Sequence, residues 1–244
     1  MKEHSLNEGI NRLRKLGITG ELKGWYFDKV LSEADIENFD FYRCTDDYFS
    51  IKINPMIITG TTHVRYNYNN TWIEMLGGLK HNIYYGGDRM AAIVHDHSLG
   101  GKDIRKYGDQ YLIEDGNNRL SIGKFMELDH IQVDMAEYRF DHALFNTYSK
   151  LKALGLPCKF KRVKDFIIWN ITIVDQVYTF NSSEFIEKFI EYYKSVSLTK
   201  NDMKYLWNGH HIDKNEQYPD IRTNDDFQKL RRHILAFKHH LPFP

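Results

Sequence analysis

The chain has 244 residues, long enough for one sizeable core or for a domain with a satellite. Lys+Arg and Asp+Glu are matched at 33 each, which excludes a polybasic protein held to phosphate backbones by bulk attraction, though not a local patch. At 42% hydrophobic and 27% charged it has the composition of a folded globular protein, and 5 prolines exclude a proline-rich linker.

In chain order, Leu6, Ile10, Leu13 and Leu16 share one helical face before Gly17, Gly20 and Gly24 interrupt it. Residues 28–41 form an apolar-acidic run that reads as a second helix. Alternation over 48–53 predicts a strand meeting Pro55. The pattern after Thr71 (Trp72, Met75, Leu76) is helical and closes at Gly77 and Gly78. Residues 90–94 predict a short buried strand, 98–103 a turn, and 111–113 a strand ending at Glu114, Asp115 and Gly116. A helix over about 119–128 and a strand over 131–138 follow. Beyond residue 140 a mainly helical layer is expected. Residues 141–154 read as a helix punctuated by Gly155 and Pro157, and 166–180 as one or two strands. Ser182 and Ser183 look like a helix N-cap, with Glu184 placed to reach back to a free amide. Phe185, Ile186, Phe189, Ile190 and Tyr193 line one face of that helix, and a last helix should open near Thr223. The expected division is a helical extension at 1–47, a core at 48–140 and an addition at 141–244.

No stretch reaches the roughly 18 apolar residues of a membrane span, the best being residues 166–174. The first five residues form no apolar signal region, so a cytoplasmic chain is expected, with Cys44 and Cys158 as reduced, buried thiols.

The junction at 115–119 carries the chemistry. A strand running into Asp115-Gly116-Asn117-Asn118 and then a helix points free amides and the helix dipole at one spot. Gly116 allows close approach, Arg119 offers a forked charged donor, and Asp115 at the mouth could take a proton or hold a cation. An ordinary β-turn with an Asx cap has the same residues.

Residues 108–138 resemble the ParB/sulfiredoxin-like superfamily, specifically its branch with the pattern G-D-x-Y-hydrophobic-x-D-G-H-H-R-hydrophobic-S-hydrophobic. The matching residues are Gly108, Asp109, Tyr111, Asp115, Gly116, Arg119, Leu120, Ser121 and Ile122, with Asn117 and Asn118 in place of the two histidines. Upstream, residues 58–65 resemble the family's first box, a Gly-Thr turn at Gly60 and Thr61 followed by His63 and Arg65, and Trp72 matches the tryptophan of the next helix. The resemblance implies an α+β fold with a small mixed-sheet core and a phosphate site. Gly116, Asn117, Asn118, Arg119, Ser121, Gly60, Thr61 and Arg65 would hold a nucleotide, ATP or CTP with Mg²⁺. Members of the superfamily include the CTP-hydrolysing partition protein ParB, ATP-using sulfiredoxin, free-serine kinases and proteins described as nucleases. A phosphoryl-transfer enzyme, hydrolase or nuclease is therefore expected, with a ParB-like DNA-associated module or an inactive sensor as alternatives.

The departures narrow this. Sulfiredoxin's cysteine after the turn glycine is Asn117 here, so that chemistry is not expected. Asn cannot titrate near neutrality, which leaves Asp115 as the catalytic group, helped by Glu114 or His63.

Two further features stand outside the resemblance. His95-Asp96-His97 would put two imidazoles on one face of a strand, without a third ligand at metal spacing, and no metal site is assigned. Lys159, Lys161, Arg162 and Lys164 alternate with apolar residues as on a basic strand face. With Lys229, Arg231, Arg232, Lys238, His239 and His240 they could line a nucleic-acid groove.

Overall fold

The structure, a computed structural model, describes residues 2–67, 70–79, 87–96, 98–164, 166–173, 176–197, 199, 230, 231, 234, 235 and 237–239. Its contacts divide the chain into two compact units, Met1–Asp141 and His142–Pro244.

In the first unit, α1 (Lys2–Lys15) presents the predicted stripe, with Leu13 and Leu16 buried and Leu6 and Ile10 half-buried. Residues 28–41 are not a helix. They form two short 3-10 turns, Glu33–Asp35 and Phe39–Phe41, the first closed by a reciprocal Ser32–Asp35 cap. Asn38 between them is left-handed (φ 56), which interrupts any continuous helix.

The chain then makes β1 (Tyr42–Ile53), β2 (Gly60–Thr61), α2 (Val64–Asn67), α3 (Trp72–Gly78) and α4 (Gly87–His95). It continues through β3 (Asp103–Tyr107), β4 (Gln110–Ile113), α5 (Asn117–Phe125) and β5 (Ile131–Phe140). Thr71 caps α3 in a capping box with Glu74, each side chain taking the other's backbone amide. The expected strand at 90–94 is the body of α4: Met90 and Val94, four apart, are its buried pair. A short apolar run fits either period, and here the helix wins because one face meets the core while Ala92 is exposed.

The sheet order is β1-β5-β3-β4-β2. β5 is antiparallel to β1 and parallel to β3, while β4 is antiparallel to β3 and parallel to β2, so the sheet is mixed. The core joins Ile104, Ile113, Ile131 and Val133 of the sheet to Trp72, Ile73 and Leu76 of α3 and Leu120 and Phe125 of α5. Each such side chain contributes about 1.5–3 kcal/mol on burial.

The second unit contains more sheet than the sequence leads one to expect. α6 (His142–Ala153) precedes β6 (Cys158–Val163), β7 (Phe166–Ile173) and β8 (Gln176–Phe180), an antiparallel sheet in the order β6-β7-β8, and α7 (Ser183–Ser195) follows. One face is apolar: Phe160, Trp169 and Phe180 are in register, and Phe180 meets Phe189 of α7 at 5.1 Å. Ser182 does cap α7, but Glu184 pairs with Lys188 (2.7 Å) instead of reaching back. Leu230, Ile234 and Leu235 are buried, while residues 223–229 of the expected last helix lie outside the described residues. The thiols differ from expectation: Cys44 is exposed and Cys158 half-buried. No described helix is long and apolar enough to cross a membrane.

Candidate functional site

Leu112 and Ile113 anchor β4 in the core, and the chain must then leave the sheet. The β3–β4 ladder holds it for two more residues, with the amides of Glu114 and Asp115 on the Asp103 carbonyl at 2.8 and 3.2 Å. Gly116 turns it at φ 77, ψ 23, and its N–H donates to Asp115 Oδ1 at 2.7 Å. A Cβ there would lie 3.0 Å from the Gly101 carbonyl oxygen and 3.2 Å from Lys102 Cα, so dihedral and space both require glycine. α5 starts at Asn117, two residues before the expected position. Its N-cap position is Gly116, so no side chain caps its first amides, and the positive end of the helix is left facing outward.

That helix start borders a cavity of about 620 Å³. One wall is polar, formed by residues 115–119 and His63; the other is Tyr66, Met90, Ile93, Leu99 and Ile122. Arg119 donates from Nη2 to the carbonyls of Gly100 (3.1 Å) and Gly101, latching that loop across the helix start. Its Nη1 is buried and has no hydrogen-bond partner among the described residues, and the same holds for Asn118 Oδ1. A buried donor and a buried acceptor are thus unsatisfied beside one cavity, a costly arrangement unless something fills it.

Behind the turn, buried Lys102 donates to the Val94 carbonyl at the end of α4 (2.8 Å). Burial and the nearby Arg119 push its ammonium below the usual lysine range. Asp103 is pushed up by burial first and then by the charges of Asp115, Asp134 and Glu114. A methyl at Gly101 would sit 2.9 Å from Asp103 Oδ2 and 3.3 Å from Asp115 Oδ2, so the two carboxylates border one small volume.

The predicted residues separate into three groups. His63, Asp115, Gly116, Asn117, Asn118 and Arg119 line the cavity. Thr61 and Asn117 are joined beneath it. The fully buried Thr61 hydroxyl donates to Asn117 Oδ1 (2.6 Å), with the Ile113 carbonyl 3.0 Å away, which ties β2 to the start of α5.

The others lie elsewhere. Gly60 is a close-approach position, where a Cβ would meet the Leu31 carbonyl at 2.0 Å, and it does not line this cavity. Arg65 is exposed on α2, its guanidinium 5.8 Å from the Tyr66 ring. Ser121 is fully buried against Met75, because residues 117, 120, 121 and 124 form the inner face of α5. Glu114 is held in an ion pair with Arg105, which also binds Glu33, so its carboxylate is committed away from the cavity. His95 ends α4, its ring 5.6 Å from that of His130, while His97 lies outside the described residues. Among the described residues no three His, Cys, Asp or Glu side chains are grouped to hold a metal.

No protein-family model, curated protein or solved structure matches this chain. The site stands on its geometry.

The basic strip is split. Lys159 and Lys161 are exposed on β6, but Arg162 belongs to the opposite face, as alternation demands, and Lys164 sits in the hairpin turn at φ 53. Lys238 donates to the carbonyls of Tyr193 and Val196, and Arg231 to that of Ser197. Both are thereby drawn to backbone. His239 follows the last described helical turn, and Lys229, Arg232 and His240 lie outside the described residues.

Sequence reasoning missed the apolar wall and the two buried lysines, Lys102 and Lys124. Lys124 donates to the carbonyls of Met56 and Ile58 at 3.0 and 2.6 Å, beneath the rings of Trp25 and Trp72. Nothing in a lone lysine announces burial, since the type is almost always exposed.

Proposed function

We propose that the cavity at the start of α5 binds a phosphorylated small molecule, with a nucleoside triphosphate as the leading class. The carrying observation is the coincidence, at one cavity, of an uncapped helix start with the buried Arg119 Nη1, which has no partner among the described residues. Phosphate oxygens accept from helix-start amides and from guanidinium, so one anion satisfies both. The apolar wall of Tyr66, Met90, Ile93, Leu99 and Ile122 suits a flat or apolar group attached to that anion. The resemblance of residues 108–138 to the ParB/sulfiredoxin-like superfamily supports the same reading.

Asp115 is the one carboxylate among the described residues lining the cavity. In this reading it orients the hydroxyl or water that attacks the phosphorus and accepts its proton, while Gly116 N–H fixes its Oδ1. A single cavity carboxylate fits an Mg²⁺ carried mainly by the phosphates, which would neutralise charge on them, with Asp115 as the chain's contribution.

Thermal unfolding of the full chain against ATP, CTP, GTP, UTP and inorganic phosphate, with and without Mg²⁺, tests the site. A ligand at 100 times its Kd stabilises by about 2.7 kcal/mol. Arg119→Ala should remove that response and leave the ligand-free protein folded. Absence of any shift with all five anions, or an undiminished shift in Arg119→Ala, would refute the site.

A further inference from the structure

The overall neutrality of the chain conceals a segregation. Residues 1–141 carry 17 Lys and Arg against 22 Asp and Glu, whereas residues 142–244 carry 16 against 11. The second unit is therefore the positive one. Its three-stranded sheet has one face committed to the apolar core through Phe160, Trp169 and Phe180. The other face carries Lys159 opposite Asn170, which is opposite Thr179; then Lys161 opposite Ile168; then Val163 opposite Phe166. Phe166 is 65% exposed, so its ring face is open to solvent. Lys159 and Lys161 are exposed, and neither they nor Lys164 makes an ion pair or hydrogen bond among the described residues. None of the described residues on that face is acidic.

We propose that this face binds single-stranded nucleic acid. Cations without counter-charges attract a phosphate backbone, and an exposed ring beside them offers a stacking platform to an unpaired base. In a duplex the base faces are already stacked on one another, so Phe166 would have nothing to cover. An apolar protein partner would have to bury Lys159 and Lys161 without anything to pair them, which is costly. The surface is distinct from the α5 cavity, lies in the other unit, and is independent of the phosphate reading.

The test is fluorescence anisotropy of the full chain with a labelled 20-nucleotide oligothymidine, a duplex of equal length, and anionic phosphatidylserine vesicles as competitor. Single-strand affinity should fall about 15- to 20-fold between 50 and 200 mM salt, as three lysine–phosphate contacts require. Lys159→Glu with Lys161→Glu should weaken it at least about 10-fold, and Lys159→Gln with Lys161→Gln should reduce the salt slope. Phe166→Ala should weaken it by about 5- to 150-fold, the worth of one stacked base. All these positions are exposed, so circular dichroism of each variant should match the parent. No binding to oligothymidine at 50 mM salt would overturn the proposal. So would duplex binding as tight as single-strand binding and indifferent to Phe166→Ala, or displacement of the oligonucleotide by vesicles at lower concentration than by unlabelled oligothymidine.

Discussion

Gly116→Ala measures how firmly the candidate site is built. The backbone at Gly116 is left-handed (φ 77), which costs an L-residue about 1–2 kcal/mol. The new methyl would also meet the Gly101 oxygen at 3.0 Å and Lys102 Cα at 3.2 Å, backbone atoms that cannot swing aside. Overpacking of this kind costs about 1–3 kcal/mol. A less flexible unfolded chain offsets about 0.4–1 kcal/mol of the total. The net expectation is a loss of about 3 kcal/mol. Gly17→Ala is the control, since Gly17 is left-handed too (φ 84) but has nothing within 4 Å of an added methyl. It should cost about 1 kcal/mol. Urea unfolding gives both values, and native-state hydrogen exchange of the β4 and α5 amides localises the loss. Equal losses in the two variants would refute the close approach of the Gly101–Lys102 backbone to the turn, and with it the geometry of the site.

Burial pushes Lys124 down to about 8 from an ordinary 10.5, so between those values the unfolded chain binds more protons than the folded one. Stability should therefore rise with pH over that window, by up to about 3 kcal/mol from this group, and Lys124→Met should flatten the rise. A slope unchanged in Lys124→Met would show that another group titrates. Asp115→Asn keeps an oxygen for the Gly116 amide (2.7 Å) and removes a charge beside the proposed phosphates. Affinity for nucleotide without Mg²⁺ should hold or improve while any turnover falls about 10²- to 10⁴-fold. Intact turnover with lost affinity would make Asp115 a turn-forming residue only.

The strand-turn-helix at 110–125 was legible because its signals agree: an apolar strand, a turn glycine and a helix-compatible run. Legibility stopped at phase. The inner face of α5 includes Asn117, Ser121 and Lys124, polar residues that erase the apolar stripe from which burial is read. The motif resemblance offers Ser121 to the ligand, and an interrupted stripe gives no sign that the residue is buried instead. β1 is only half legible for a related reason. Its first residues are mostly exposed, so no alternation marked the pairing of Tyr42 with Phe140 and Arg43 with Arg139. The apolar cavity wall comes from α2, α4, α5 and the loop at Leu99, segments far apart in the chain that only the tertiary fold brings together. The three-stranded sheet of the second unit is legible in part, as one or two strands and a basic strip. The face assignment of Arg162 follows only once the register is known.

Lys102 is held at three points. Its ammonium grips the end of α4, its carbonyl takes the Asp134 amide of β5 at 2.9 Å, and its stem lies under the Gly116 turn. One residue thus braces a cavity wall, the sheet and the helix start together, like a strut at a three-way joint. Parts fixed in that way do not close around a guest one at a time. The cavity should receive its ligand already assembled, so binding would order the guest far more than the host, and little of the affinity would be lost to freezing protein motion.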